Sequence, residues 1–167
     1  MRSAPLPDRP FRVLFVCLGN ICRSPLAEGL FRRHVEEAGL AGRIEIASAG
    51  TGAWHVGKPP DKRMCATASK RGVDISHQRA RHLCAEDLRR SDLVLAMDRE
   101  NLANIRALGS ADLSSNVVLF RHFDPEPGTG EVPDPYYGGD EGFAEVFDIV
   151  DRTSRALLGE LRREHGF

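Results

Sequence analysis

No stretch of this sequence is apolar for long enough to cross a bilayer, and neither sign of charge dominates it. Twenty-three Lys and Arg residues stand against 24 Asp and Glu, a net charge of −1. Such a balance leaves no electrostatic footprint for nucleic acid or for an anionic membrane surface, so neither is expected as a partner. Cysteine is scarce, with only Cys17, Cys22, Cys65 and Cys84 in 167 residues. A chain of this length needs no disulfide frame, and the four are expected to be reduced. Cys17-x4-Cys22 lacks a second ligand pair at a zinc-binding spacing, so no metal is expected. No repeat or low-complexity block interrupts the chain. The first ten residues carry three prolines and no apolar core. They read as a flexible tail (1–10), not a signal peptide, and the expected compartment is the cytoplasm.

What is present is 41% hydrophobic content, enough for a single domain over residues 11–167 with its own core. One stretch organises it, from Val13 to Pro25. Val13-Leu14-Phe15-Val16 runs straight into Cys17, as a buried parallel strand does. Pro25 suits the first turn of a helix, and Ala27, Leu30, Phe31, His34, Val35 and Ala38 then recur at helical spacing. Cys17 to Arg23 is therefore a strand-to-helix turn. Gly19 and Asn20 are the residue types that most readily bend a backbone into left-handed conformations. A turn of this kind aims consecutive N–H groups into one concavity, with a helix N-terminus behind it. A cysteine facing that concavity is a nucleophile in its thiolate form. The same donors, with Arg23, would grip the oxygens of a phosphate. Nucleophile and oxyanion cradle together fit phosphoryl transfer through a phosphocysteine.

Val16-Cys17-Leu18-Gly19-Asn20-Ile21-Cys22-Arg23-Ser24-Pro25 resembles the phosphate loop of the low-molecular-weight protein tyrosine phosphatases. The larger tyrosine phosphatases share Cys-x5-Arg but have His before the cysteine and Gly three residues after it, where this chain has Val16 and Asn20. The resemblance implies that Cys17 and Arg23 are catalytic. It also implies that Leu18, Gly19, Asn20, Ile21, Cys22 and Ser24 form the phosphate-binding loop.

Further along, Arg43 to Ser48 alternates like a strand. Gly50-Thr51-Gly52 after it lacks the third glycine of a dinucleotide fingerprint, since His55 stands there. Gly52 to Lys58 fits G-x4-G-K, but Pro59 replaces the hydroxyl residue that would hold magnesium. Neither nucleotide reading survives. Trp54, the one tryptophan, sits in this glycine-rich loop, where a contact surface is favoured over the core. By resemblance it is one wall of a substrate cleft, Ser48 supports the phosphate loop through Asn20, and His77 bonds to Ser24. Asp61 and Asp98 read as helix N-caps. An apolar run starting at Leu88 leads into a third strand over Leu93–Met97, and Asn116–Phe120 is a fourth. The long loop from Arg121 to Gly142 holds two Asp-Pro pairs. Asp124-Pro125 reads as an ordinary turn. Asp134-Pro135-Tyr136-Tyr137, with proline on both sides of the acid, resembles the family's general-acid loop. Asp134 is then the catalytic acid, and Tyr136 and Tyr137 join Trp54 in the substrate cleft. Phe143, Val146, Phe147, Val150, Leu157, Leu158 and Leu161 describe one face of a long final helix.

Strands and helices alternate, which is the pattern of an α/β domain with helices on both faces of a four-stranded parallel sheet. The resemblance implies a flavodoxin-like three-layer sandwich with strand order 2-1-3-4. It implies a monomer without cofactor that acts on phosphotyrosine-containing proteins and is inhibited by phosphate-like oxyanions. An arsenate reductase of the same fold would need a resolving cysteine pair. Cys65 and Cys84 are far apart in sequence, and no cysteine follows Cys84. A non-catalytic phosphotyrosine-binding module would lack Cys17 or Asp134, and both are present. An arginine-phosphate phosphatase would carry Thr in place of Ile21 and lack the doubled tyrosine.

Overall fold

Phe11-Arg12-Val13-Leu14-Phe15-Val16-Cys17 is apolar on both sides, so it must be covered on both sides. It forms β1 (Phe11–Cys17), in which every residue except Arg12 is buried. In the computed structural model, which describes residues 9–109, 116–136 and 138–167, β1 lies between β2 (Ile44–Gly50) and β3 (Leu93–Ala96), and β4 (Val117–Leu119) flanks β3. All three pairings are parallel, with Cys17 opposite Gly50 and Val16 opposite Ala96. The order β2-β1-β3-β4 makes the carboxyl end of β1 a switch point, where the chain departs to opposite sides of the sheet. The sheet is the flavodoxin-like one that the sequence resemblance implies.

The five described α-helices are α1 (Arg23–Glu37), α2 (Lys62–Lys70), α3 (Ala85–Arg90), α4 (Arg99–Leu108) and α5 (Asp140–His165). Alternate residues of β1 feed two separate cores. Val13, Phe15 and Cys17 pack with Leu26, Leu30 and Phe31 of α1 and with Phe143, Val146 and Val150 of α5. Leu14 and Val16 pack on the other face with Leu88 of α3 and Ile105 of α4. Phe15 is fully buried, with its ring edge-on to Phe31 at 5.7 Å and to Phe120 at 5.3 Å. Burying one such side chain is worth about 1.5–3 kcal/mol. All seven residues expected on the inner face of the final helix are buried there. Asp61 and Asp98 cap α2 and α4, accepting hydrogen bonds from Arg63 N and Asn101 N. Among the described residues no helix is long and apolar enough to cross a membrane.

Three sequence expectations need correction. Leu88 does not open the third strand; it is the buried residue of α3. This helix has Glu86 and Asp87 in its first turn and Arg89 and Arg90 in its last, the charge order that complements a helix dipole. Residues 1–8 of the expected tail lie outside the described residues, but Arg9 is not loose. Its guanidinium forks onto Asp92, both contacts at 2.8 Å. Finally, Asp124 is more than a turn residue. Its buried carboxylate accepts from Arg121 Nε at 2.9 Å and from Arg152 Nε and Nη2 at 2.8 and 3.0 Å, pinning the loop after β4 to α5.

Burial alone would raise the pKa of Asp124, but the hydrogen bonds from Arg152, Glu126 N and Arg121 outweigh it and hold the carboxyl down at about 2. A depressed acid stabilises the fold fully above its unfolded pKa and loses that contribution as pH falls through the folded one. Stability should therefore decline from about pH 4 towards pH 2, with about 2 kcal/mol of the decline due to this group. Denaturant midpoints measured across that window should show the Asp124→Asn protein less stable at pH 7 and with a flatter acid limb.

Candidate active site

The turn between β1 and α1 has no room for ordinary backbone. Asn20 stands in the left-handed region, φ 56°, the one described non-glycine residue with a positive φ. A short amide side chain tolerates that conformation when it can bond locally, and here it is fully engaged. Asn20 Nδ2 donates to Ser24 Oγ at 2.8 Å and to Ser48 Oγ at 3.0 Å, while Oδ1 accepts from Arg81 N at 3.0 Å. Ser48 Oγ in turn donates to Glu28 Oε1 at 2.8 Å. Gly50, at the end of β2, lets the turn lie against it: a β-carbon there would come within 2.9 Å of Leu18 O and 3.1 Å of Asn20 N. Thr51 N and Gly52 N then donate to Cys17 O and Leu18 O, which joins the following loop to the turn.

The Cys17 sulfur is buried in the turn. Asn20 N donates to Sγ at 3.3 Å, and Ser24 Oγ lies 3.0 Å from it. Ser24 Oγ accepts from Asn20 Nδ2 and keeps its own proton, which it can donate to the sulfur whenever that is a thiolate. Arg23, the first residue of α1, is buried and held from one side. Nη1 donates to Asp98 Oδ2 at 2.7 Å and to Val132 O at 3.0 Å, and Nη2 lies 3.5 Å from Asp134 Oδ2. Burial works against the Arg23 charge, but Cys17, Asp98 and Asp134 outweigh it and keep the guanidinium protonated. Cys22 is the opposite case. Burial, with Asp61, Cys17 and Asp134 nearby, pushes its thiol far up, so at neutral pH it remains a thiol.

Above the turn opens a cavity of about 410 Å³, lined by Cys17, Leu18, Gly19, Ile21, Cys22, Arg23, Trp54, His55, Asp134 and Tyr136. Trp54 is 69% exposed, a wall rather than a core residue. The cavity thus gathers the expected nucleophile, guanidinium, acid and aromatic walls, with Asn20 bonded to both Ser24 and Ser48 beside them. Tyr137 lies outside the described residues. A larger hollow of about 830 Å³ beyond Asp134 has no cysteine, serine or histidine on its walls, so the expected nucleophile, Cys17, lines only the smaller of the two.

His77 is not part of the site. It is exposed, and the hydroxyl of Ser24 is instead engaged by Cys17 and Asn20. The next residue faces inward: Gln78 Nε2 donates to Pro25 O at 2.9 Å. Sequence reasoning also missed His55, seen only as the residue that breaks a glycine pattern. It missed the second bond of Asp98, seen only as a cap, because Arg23 lies 75 positions away. For His55 a signal existed, its place next to Trp54; for Asp98 there was none.

With the geometry in place, comparison with known proteins is specific. Residues 12–166 match the family model described as low molecular weight phosphotyrosine protein phosphatase. A Streptomyces coelicolor protein named low molecular weight protein-tyrosine-phosphatase is 43% identical over 92% of this chain and 95% of its own length. A Schizosaccharomyces pombe low molecular weight phosphotyrosine protein phosphatase is 47% identical over 87% and 94%. A crystal structure of a protein tyrosine phosphatase from Entamoeba histolytica, with Hepes in its active site, superimposes with a TM-score of 0.89 at 33% identity, covering 92% of this chain and 98% of that one.

The Asn20 amide is what fastens the turn to Ser24, Ser48 and the backbone of Arg81. Replacing it with alanine removes three hydrogen bonds, each worth about 1 kcal/mol, and leaves two buried hydroxyls short of a partner. Asn20→Ala should weaken inhibition by inorganic phosphate roughly tenfold or more. An inhibition constant unchanged from wild type would show that the turn keeps its shape without the amide.

Proposed function

This chain is a member of the low molecular weight phosphotyrosine protein phosphatases, and from that premise we propose that it hydrolyses phosphotyrosine in proteins through a phosphocysteine on Cys17. The observation that carries the reading is the convergence of three groups on one cavity. Cys17 Sγ sits at its floor, Arg23 beside it, and Asp134 within 3.5 Å of Arg23.

In the first step Cys17 Sγ bonds to phosphorus as the bond from phosphorus to the tyrosyl oxygen breaks. Asp134, protonated, gives its proton to that oxygen, which leaves as a neutral phenol. In the second step water attacks the phosphorus of the phosphocysteine and Asp134 takes its proton. The S–P bond breaks, returning the thiolate and releasing inorganic phosphate. Throughout, the equatorial oxygens are held by Arg23 and the N–H groups of the turn, which are oriented before the substrate arrives and need no reorganisation. Ser24 Oγ, 3.0 Å from Sγ, can donate to the sulfur as a thiolate and so stabilise it both as nucleophile and as leaving group.

The walls support an aryl substrate. Phosphorus must reach the sulfur, and the ring of an aryl phosphate would then lie among Trp54, His55 and Tyr136, which line the same cavity. Stacking adds about 0.5–1.5 kcal/mol per aromatic pair. A phosphoserine methylene is shorter, stacks on nothing, and leaves as a poorer alkoxide. Four unpaired cysteines support a reducing, cytoplasmic setting. A monomer suffices, since every residue of the proposed mechanism comes from one chain.

Asp134→Ala should lower kcat by roughly 10²–10⁴-fold, with the loss growing as the leaving phenol becomes less acidic. An equal loss across a series of aryl phosphates would show that Asp134 does not transfer the proton.

A further inference from the structure

Arg63 stands in the first turn of α2, outside the cavity, and no step above uses it. Its guanidinium nevertheless grips the segment that follows Asp134. Nη2 donates to Tyr136 O at 2.8 Å and Nη1 to Gly138 O at 3.3 Å. Those carbonyls belong to the turn in which Gly138 N donates to Pro135 O at 3.0 Å. On the other side of the same residue, Tyr136 N donates to Asp134 Oδ1 at 3.0 Å, which sets the direction of the carboxylate. Tyr136 is thus bonded through its carbonyl to Arg63 and through its N–H to the acid.

The other end of the connection is equally specific. Arg63 Nε and Nη2 contact the two carboxylate oxygens of Asp61 at 3.3 and 3.2 Å. Asp61 N donates to Ile21 O, in the phosphate-binding turn, at 2.8 Å. The guanidinium also lies over the Phe143 ring, 4.6 Å from its centroid. A planar fork can reach two carbonyls and a carboxylate at once; an ammonium is a point charge and cannot.

We propose that Arg63 is a positioning residue: through Asp61 it ties the loop bearing the general acid to the loop bearing the nucleophile, and so holds Asp134 in register with Cys17. The inference rests on the roles given above to those two residues. Prolines on either side of Asp134 stiffen its own backbone, but they do not fix its distance from a turn more than a hundred residues earlier in sequence. The side chain of Arg63 is 41% exposed, and exposed ion pairs contribute little to stability. Its effect therefore belongs in the rate and not in the melting temperature.

The test is a double-mutant cycle on phenyl phosphate, a poor leaving-group substrate, with melting temperatures taken in parallel. Arg63→Ala should lower kcat roughly ten- to a hundredfold, the scale of a small misplacement of a reacting group, with little change in melting temperature. In an Asp134→Ala background the same substitution should have no further effect, because there is no acid left to misplace. Arg63→Lys, which keeps the charge but not the fork, should remain close to Arg63→Ala. An equal loss with and without Asp134, or full activity in Arg63→Lys, would overturn the positioning role. If Asp134→Ala were itself silent, the assignment of the acid would fall first, a failure distinguishable from that of Arg63 alone.

Discussion

Everything at the site depends on one asparagine held in a backbone conformation that most residues avoid. With φ at 56°, Asn20 turns the chain sharply between Cys17 and Arg23, and its own N–H faces the Cys17 sulfur. The conformation costs on the order of 1 kcal/mol. The amide offsets this by bonding Ser24, Ser48 and Arg81 N, which come from α1, β2 and the loop before α3. Three elements are thereby fastened to the turn, and its shape becomes a property of the fold. In the proposed mechanism a turn already held in shape spends no binding energy on ordering itself around an anion.

The second constraint is charge. Arg23 is buried, and a buried cation is tolerated only when paired and fully bonded. Asp98 provides that partner while also capping α4, so the helix and the guanidinium are oriented by the same carboxylate. Val132 O adds a bond from the loop that leads to Asp134. Arg23 therefore meets the loop around Asp134 through a backbone carbonyl and through Asp134 itself, and Arg63 meets the same loop at Tyr136 O. The long segment after β4 carries no strand of its own among its described residues, yet it is bonded at Asp124, Val132, Tyr136 and Gly138.

How much of this was legible in the sequence follows from distance along the chain. The strand-turn-helix over residues 11–37 was readable because its pattern is continuous: four apolar residues, a turn of Gly and Asn, a proline, then helical spacing. The final helix was readable for the same reason. Asp134 stood out against Asp124 because proline on both sides and aromatics behind it form a local code. What failed was long-range. The charge of Asp124 is explained by Arg152, on another element, so its pre-proline position looked like a plain turn. His77 and Gln78 differ by one position in a loop with no periodicity, and only packing decides which of them faces inward. Leu88 sits on a helix of six residues, too short for its period to be seen beside the strand that follows.

The central claim is that the phosphoryl group passes through the sulfur of Cys17. It is tested most directly by quenching the enzyme in acid during turnover of an aryl phosphate and locating the phosphoryl group by mass spectrometry of the peptide spanning the turn. The Asp134→Ala protein, in which the proposed mechanism slows hydrolysis of the intermediate, is the variant to use beside the wild type. The account predicts one phosphoryl group, on Cys17, appearing as fast as the phenol is released in the first turnover. A phosphoryl group on any other residue, or phenol released with none on the chain, would contradict it.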